Sequence, residues 1–400
     1  MISSIFTIKF LSMKSKKVAI FYKTFRKYGG QEKVIYEFSH FLAEKGYKVD
    51  IWTQKVKDKP QHPRIKIHKV FIPNFGRAFR NLSFATYSFL KAVSLRRKGV
   101  IILGFGKTFY QDIFRSGGGV HKFYIERAAL KYRDPFKRIL YKVRKFFSPS
   151  NWINRLIEKL TFENKTLKAI VVPTEFVKQQ ILSNYKVKAQ IFLVRNGMDL
   201  KRFSIHEKSK RRNVIRKELG IKENDFVFVY VSSNHFLKGL DYLLEACNLL
   251  KQKGYLFKLL IAGSGKDKYF EKRVNTLNLT NYVIFLGKRN DIENVYYAGD
   301  FFVYPTLFDA SANVILEAMA CGLPVISSVY SGTHELITEE KNGFLIKKPE
   351  DPREIALKME KVLKRPELAK TMGKEAFKIV SKYPKERVFD KYERIIKNLT

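Results

Sequence analysis

The stretch Phe301–Ser327, FFVYPTLFDASANVILEAMACGLPVIS, narrows the fold more than any other part of the chain. Phe301–Pro305 is a short apolar run with the character of a buried strand, and Ala312–Cys321 follows with helical spacing, Val314, Ile315, Ala318 and Met319 falling on one side. Gly322 and Pro324 end the helix, and Val325–Ser327 opens another buried run. A strand–loop–helix–strand unit leaves its loop, Thr306–Ser311, at the carboxyl end of a strand and the amino end of a helix. Open α/β sheets bind ligands there, and the aligned peptide dipoles of the helix favour an anion. Two carboxylates, Asp309 in the loop and Glu317 one turn into the helix, flank the same spot. Carboxylates repel phosphate, so their natural partners are hydroxyls on the same ligand. A phosphate carried together with sugar hydroxyls, as in a sugar nucleotide, meets both demands.

The same alternation runs through the whole chain. In the first half it predicts strands over Val18–Tyr22, Tyr47–Thr53, Ile65–Phe71, Val100–Gly104, Leu167–Thr174 and Ala189–Val194, with helices over Gln31–Lys45, Asn81–Lys98 and Glu175–Tyr185. The polar turn RNGMDLKRF (Arg195–Phe203) and the charged run HEKSKRR (206–212) mark a domain boundary. Beyond it come strands over Phe226–Val231, Phe257–Ala262 and Tyr282–Leu286, helices over Leu240–Lys253 and Lys268–Leu277, and then the opening unit. This is the pattern of an α/β protein with two doubly wound parallel-sheet domains facing each other across a cleft, carboxyl strand ends inward. The expected division is a first domain over 1–205, a second over 206–375, and a terminal helix over 376–400 that crosses back to the first.

A formal charge of +40 calls for a polyanionic neighbour: nucleic acid, an anionic membrane surface or a phosphorylated substrate. No apolar run approaches the roughly 18 residues of a membrane span. The opening MISSIFTIKFLS has no basic leader and no small-residue cleavage site, so a signal peptide is not expected, and Met13 is an alternative start. Cys247 and Cys321 stand far apart, which argues against a disulfide scaffold and fits a reducing compartment. A basic excursion over 122–163 contains Phe136, Ile139, Leu140, Val143 and Phe147 on one helical face, with Lys137, Arg138, Lys142, Arg144 and Lys145 over much of the remainder. Such a helix either lies on an anionic membrane, with Trp152 beyond it, or packs its apolar face on the core.

Other residues sit where chemistry would need them. Gly29–Gly30, at the first strand-to-helix turn, lets backbone approach a ligand, although a full G-x-G-x-x-G is absent. Three glycines precede Val120 and His121, either presenting the histidine beside a bound molecule or forming a loop with a solvated imidazole. Lys238 follows a buried strand and precedes a helix, a good place to hold a diphosphate. No Asp-x-Asp pair and no His, Cys and Asp cluster at metal spacing occurs, so no metal or cofactor is expected and the cationic work falls to Lys238 and helix dipoles. AGSGKD (262–267) is too short for a phosphate-binding loop of the Walker type.

Taken together, the early GG, GGGVH, VRNGMDLKRF, LKGLDYLLEA, IAGSG, FLG and LFDASANVILEAMACGLPVIS…GTHELI…NGFLI resemble the retaining family-4 glycosyltransferases, and within them the lipopolysaccharide core glucosyltransferases. The resemblance spans nearly all of the chain from Val18 and is densest over 226–346. It implies the GT-B architecture of two facing Rossmann-like domains. It also implies a hexose, glucose first, moving from a UDP-sugar to a membrane-associated glycolipid, by front-face displacement and without a metal. By resemblance Glu317 holds the ribose hydroxyls, Asp309 contacts the transferred sugar, Lys238 binds diphosphate, and backbone at Ala312, Asn313 and Val314 meets phosphate or sugar. His121 stands near the reacting centre, and Gly29–Gly30 approaches the diphosphate from the other wall. Two positions depart from the family: Asp309 stands where glutamate is usual, and Ser233 or Asn234 where an arginine partners the lysine. The chain is expected on the cytoplasmic face of an inner membrane, a monomer by default. The competing readings are a family-4 transferase for another glycan, such as a GDP-mannose or capsule enzyme, a nucleotide-sugar epimerase of similar fold, and a basic nucleic-acid-binding α/β protein.

Overall fold

Continuous apolar runs form the centre of each half, as strands buried on both faces of a parallel sheet require. The computed structural model describes residues 16–73, 75–263 and 268–399; Met13 and most of AGSGKD lie outside them. The first sheet contains β1 (Lys17–Phe21), β2 (Lys48–Thr53), β3 (Ile65–Lys69), β4 (Ile101–Gly104), β5 (Ile113–Arg115), β6 (Ala169–Val172) and β7 (Gln190–Leu193), in the order β3-β2-β1-β4-β5-β6-β7. The second contains β8 (Val227–Ser232), β9 (Lys258–Gly263), β10 (Val283–Gly287), β11 (Phe301–Tyr304), β12 (Val325–Ser328) and β13 (Gly343–Ile346), ordered β10-β9-β8-β11-β12-β13. Pairing is parallel throughout, for example Val18 opposite Val49 and Val229 opposite Phe302. The fold is therefore two Rossmann-like α/β domains; one apolar cluster lies within the first, and another fills the second and continues across to Phe114, Phe162, Ile170 and Val177 of the first.

In the first domain the helices are α1 (Gln31–Glu44), α2 (Gly76–Arg97), α3 (His121–Ala128), α4 (Pro135–Phe146), α5 (Pro149–Phe162) and α6 (Glu175–Leu182). The second carries α7 (Ile205–Glu218), α8 (Leu240–Gln252), α9 (Lys268–Thr276), α10 (Ile292–Ala298), α11 (Asn313–Ala320), α12 (Pro352–Lys364) and α13 (Leu368–Val380). The last helix, α14 (Lys385–Asn398), lays Val388, Phe389, Tyr392, Ile395 and Ile396 into the core of the first domain. The Phe389 ring stands 5.4 Å from Phe38 and 5.5 Å from Phe41, centroid to centroid. Each large apolar side chain so buried contributes roughly 1.5–3 kcal/mol. Residues 376–380 remain in α13, with Ala376 and Val380 in the second core, so the crossing itself falls at 381–384.

Three stretches differ from the sequence reading. Ile113–Arg115, left within a loop, is a strand between β4 and β6; at three residues it is too short to show periodicity, and its pairing identifies it. The charged run 206–212 lies inside a helix, α7, capped by Ser204. That helix is anchored by ions: Arg212 and Arg216 bond Asp300 at 2.5 and 2.8 Å, and Arg216 also donates to the carbonyls of Ala298, Glu223 and Asp225. The GGGVH loop ends where α3 begins, at His121.

Helix α4 settles the question left open by its periodicity. Asp134 caps it by accepting from the Phe136 and Lys137 amides, and Pro135 occupies its first turn. None of its residues is buried, and Phe136, Ile139 and Phe147 are 71%, 60% and 73% exposed. Its apolar face therefore looks outward, joined by exposed Trp152, Leu156 and Leu160 of α5.

The chain crosses between domains twice, and the two passes are bonded side by side. Met198 donates to Tyr383 O (2.9 Å) and accepts from the Lys385 amide (3.0 Å), while Lys385 Nζ reaches Asp199 at 2.7 Å. Gly197 makes this approach feasible, since a Cβ there would lie 2.5 Å from Lys385 Cα. Replacing it should push the passes apart. Gly197→Ala is expected to lower stability by about 1–3 kcal/mol, the usual range for overpacking; an unchanged urea midpoint would show that the passes separate freely.

Candidate active site

The loop after β11 is clamped onto the loop after β8. Leu307 donates its amide to Leu237 O at 3.0 Å, and Gly239, at φ +77°, caps α8 where a Cβ would run into the Pro305 carbonyl. Between these contacts Lys238 has one direction to take. Its Nζ meets Asp309 Oδ2 at 2.7 Å and Phe308 O at 2.9 Å. Tyr304, at the end of β11, donates to the same carboxylate oxygen at 2.9 Å, and the Ser311 amide donates to Oδ1 at 3.2 Å. Burial, and then the Asp309 charge, push the Tyr304 hydroxyl far above its ordinary pKa, so it acts only as a donor. Lys238 and Asp309 are thus brought together, each the other's partner in the absence of ligand.

The amino end of α11 is fixed from the interdomain linker. Asn196 donates to Ser311 Oγ (3.0 Å) and Asn313 Oδ1 (2.6 Å), and its own Oδ1 accepts from Arg115 Nη2 at 2.6 Å. Ala312 donates its amide to Thr333 Oγ1 at 2.8 Å. One turn further on, Glu317 accepts from Tyr296 at 3.0 Å and faces a cavity of about 420 Å³ between the domains. Gly29, Lys33, Arg202, Lys288 and Arg289 share that cavity with it. Gly29 adopts φ +113°, and a Cβ would fall 2.8 Å from Arg26 Nη2, where Arg26 pairs with Glu32; Gly30 precedes the first turn of α1. Gly29 thus lies in the lining of the cavity that Glu317 faces, with Gly30 next to it in sequence.

His121 is placed differently. It opens α3, and its amide donates to both Glu158 oxygens at 3.2 and 3.1 Å. Burial, followed by the charge on Lys107, pulls its ring down to about 4, against the opposing effect of a side-chain contact with Asn151. Its ring contact is Tyr124, 6.0 Å away, and Tyr124 in turn stands 5.9 Å from Phe308. One aromatic side chain therefore separates His121 from the Asp309 loop. Beside it, a second cavity of about 380 Å³ lies at the carboxyl ends of β1, β4 and β5, with Lys23, Lys107, Arg115, Glu158 and Gly117–Gly119 among its lining.

At the place where the resemblance expects an arginine, Asn234 accepts from the Leu237 amide at 3.2 Å and so closes the loop rather than carrying charge. Among the described residues no three His, Cys, Asp or Glu side chains come together as a metal site. Sequence reasoning overlooked Arg115, Asn196, Tyr296 and Tyr304. The Arg-Asn-Gly of the linker was the available signal for Asn196; the others depend on tertiary contacts. The five candidate membrane-facing cations are all on α4, with Lys137, Lys142 and Arg144 exposed and Arg138 turned back to Tyr132 O at 2.6 Å. Lys145 is half-buried, and burial followed by Arg77 depresses its pKa.

Two facing Rossmann-like parallel-sheet domains are the architecture of the GT-B class. Residues 28–202 match the family described as Glycosyltransferase Family 4, and residues 211–379 the one described as Glycosyl transferases group 1. The chain belongs to the family-4 glycosyltransferases of GT-B fold. It is similar to the lipopolysaccharide glucosyltransferase WaaG of Escherichia coli, at 23% identity over 325 residues, 80% of this chain and 83% of that protein. The crystal structure of WaaG superposes with a TM-score of 0.80 at 21% identity, covering 95% of this chain and 99% of that one. That of Anabaena Alr3699/HepE in complex with UDP-glucose gives 0.69 at 18% identity, over 96% and 99%. The chain spans about half the length of several other curated relatives that it matches.

The His121 environment makes a testable statement about protonation. Its folded pKa lies below the ordinary value of 6.5, so the unfolded chain binds more protons between about 6.5 and 4. The ring should stay neutral from pH 8 to below 6, and its contribution to stability should fall as pH drops through that window. NMR titration of the imidazole checks this; a midpoint near 6.5 would contradict the buried, cation-flanked placement.

Proposed function

We propose that the protein transfers a hexose, glucose in the first place, from a UDP-sugar to a hydroxyl of a membrane-associated glycolipid such as the lipopolysaccharide core, with retention of anomeric configuration. The observation that carries this reading is the Lys238–Asp309 pair in the loop before α11, the helix whose Glu317 lines the interdomain cavity. A diphosphate reaching Lys238 replaces Asp309 as its counter-ion. The freed carboxylate, still held by Tyr304 and the Ser311 amide, then accepts hydroxyls of the transferred sugar. Glu317, in the interdomain cavity, accepts the nucleoside hydroxyls.

Catalysis on this reading is electrostatic. As the glycosidic bond lengthens, negative charge grows on the departing diphosphate, and the Lys238 ammonium and the amino end of α11 stabilise it. Departing phosphate oxygen takes the acceptor proton on the same face, so Asp309 is not a nucleophile. His121, neutral at working pH, can offer a hydrogen bond to the donor sugar but no charge. No metal is needed, because cations already line the cavity on both sides. The UDP-glucose complex of a protein with the same fold supports the choice of donor, and WaaG supports the choice of acceptor. A family-4 transferase for another glycan is the alternative, and a hydrolysis screen over UDP- and GDP-sugars separates them: GDP-mannose turnover without UDP-glucose turnover would favour it.

The outward apolar face of α4 and α5 supports attachment to a membrane surface. No helix among the described residues is long and apolar enough to cross a membrane. Each Lys or Arg near an anionic leaflet contributes about 1 kcal/mol, in addition to burial of the rings. Sedimentation with anionic vesicles at low salt, weakened by replacing Phe136 and Leu140 with aspartate, is the expected result; a protein that stays in the supernatant overturns the attachment.

Lys238→Ala is expected to lower turnover about 10²–10³-fold, the usual loss when one main charge stabiliser is removed. Glu317→Ala should also lower turnover strongly, chiefly through weaker nucleotide binding. Rates of UDP release by either variant close to those of the natural protein would sink the assignment.

A further inference from the structure

The 380 Å³ cavity in the first domain has an electrostatic imbalance that the donor site does not use. Its floor is backbone: a Cβ on Gly106 would lie 3.1 Å from the Tyr22 ring, and one on Gly117 would collide with Arg115. Its Gly119 end touches the donor loop, where a Cβ would be 3.0 Å from Phe308 and 3.5 Å from Ala310. At the other end stand Lys23 and Lys107, close to the first turn of α2 with Arg77 and Arg80.

The carboxylates of the lining are already engaged. Glu32 is paired with Arg26, and Glu158 takes bonds from the His121 amide and from Tyr185 besides its contact with Lys107. Lys23, by contrast, has as its hydrogen-bond partner among the described residues the neutral amide oxygen of Asn81, whose amide nitrogen donates in turn to Asn154. Burial, reinforced by Arg80, Lys107 and Arg77, pulls its ammonium down to about 8, the mark of a cation kept without a counter-ion. Arg115 is 4% exposed and donates to the neutral oxygens of Tyr392 and Asn196. Buried cations in this state are costly until an anion arrives.

We infer that this cavity takes the acceptor through a phosphate group carried on its sugar, seated between Lys23 and Lys107 on the side toward Arg77 of α2. The identity of the ligand as acceptor rests on the glycosyltransferase reading above. Several cations around one point match a phosphate monoester better than a single carboxylate. The volume lies within the roughly 300–1,000 Å³ of small-molecule sites. Tyr22, Phe105 and Phe114 offer apolar surface for a sugar ring, and the Gly119 end presents that ring to the Asp309 loop. Arg77 is also among the charges that depress Lys145 of α4, so the cationic end adjoins the outward apolar face.

The test is calorimetric titration of the full chain with glucose 6-phosphate, glucose and inorganic phosphate in turn, under saturating UDP so that the donor site is filled. Glucose 6-phosphate should bind one to one, with glucose and inorganic phosphate each at least tenfold weaker. Lys23→Met should weaken it at least tenfold, and Lys23→Arg should restore most of the affinity; circular dichroism melts confirm that both variants fold. Undiminished binding by Lys23→Met overturns the inference, as does inorganic phosphate binding as tightly as the sugar phosphate, or binding abolished by UDP. Hydrolysis of UDP-glucose by the natural protein is followed in parallel. Hydrolysis without Lys23-dependent binding removes the phosphate subsite and leaves the transferase reading; Lys23-dependent binding without hydrolysis of any nucleotide sugar does the reverse.

Discussion

The hydrogen bond from Arg115 to Asn196, 2.6 Å long, is where the two halves of the molecule are fastened together. Arg115 ends β5 and is buried, so its guanidinium must find acceptors inside the protein. It finds them on Tyr392 of α14 and on Asn196 of the linker, the two segments that pass between domains. Asn196 then hands the constraint on to Ser311 and Asn313, at the amino end of α11. One cation at a strand end in the first domain thereby fixes where the helix dipole of the second points. The bonded passes at Met198 and Tyr383 keep that register, and α14 anchors it by burying its apolar face on α1.

The Lys238–Asp309 pair shows how two opposite charges at strand ends are accommodated away from water. Both groups are largely withdrawn from water, where a lone charge would be costly. Pairing removes that cost, and Tyr304 holds the carboxylate when the lysine is drawn away. Aspartate suits the arrangement because its short side chain keeps both oxygens against the loop backbone and Tyr304. Cations elsewhere in the cleft surround the Glu317 cavity: Lys33 from the first domain, Arg202 from the linker, and Lys288 and Arg289 from the second, with Arg202 paired to Glu293 and Arg289 to Asp291.

Much of this architecture is legible in the sequence because parallel strands buried on both faces are written as unbroken apolar runs, punctuated by glycine and proline. Phe301–Tyr304 and Val227–Ser232 are of this kind, and the ligand-binding loops follow from their carboxyl ends. Helix α7 escaped that logic: its partners are Asp300 and backbone carbonyls, so ion pairs rather than an apolar stripe hold it, and no periodicity announces it. Ile113–Arg115 escaped it for lack of length. In the site, Lys238, Asp309 and Glu317 are readable because each belongs to a local strand–loop–helix unit. Arg115 and Lys23 are not, since their meaning comes from what lies across space: neutral acceptors in one case, like charges in the other. His121 is one ring removed from the Asp309 loop, through Tyr124, and its amide is fixed on Glu158, contacts that the local GGGVH pattern does not announce.

The excursion between β5 and β6 joins the remaining features. Nothing in α4 is buried, yet the helix is capped, stiffened by Pro135, and carries five large apolar residues outward from Phe136 to Phe146. Soluble proteins rarely leave such a contiguous apolar strip bare, because each ring costs hydration free energy. The opposite end of the same excursion, α3, is tied into the cleft: Arg127 donates to Leu307 O at 3.1 Å and lies 3.3 Å over the Tyr330 ring, whose carbonyl accepts from the Asp309 amide. The outward apolar face and the donor loop are therefore parts of one rigidly connected segment. Through Arg127 of α3 the position of that outward face is coupled to the loop that carries Asp309.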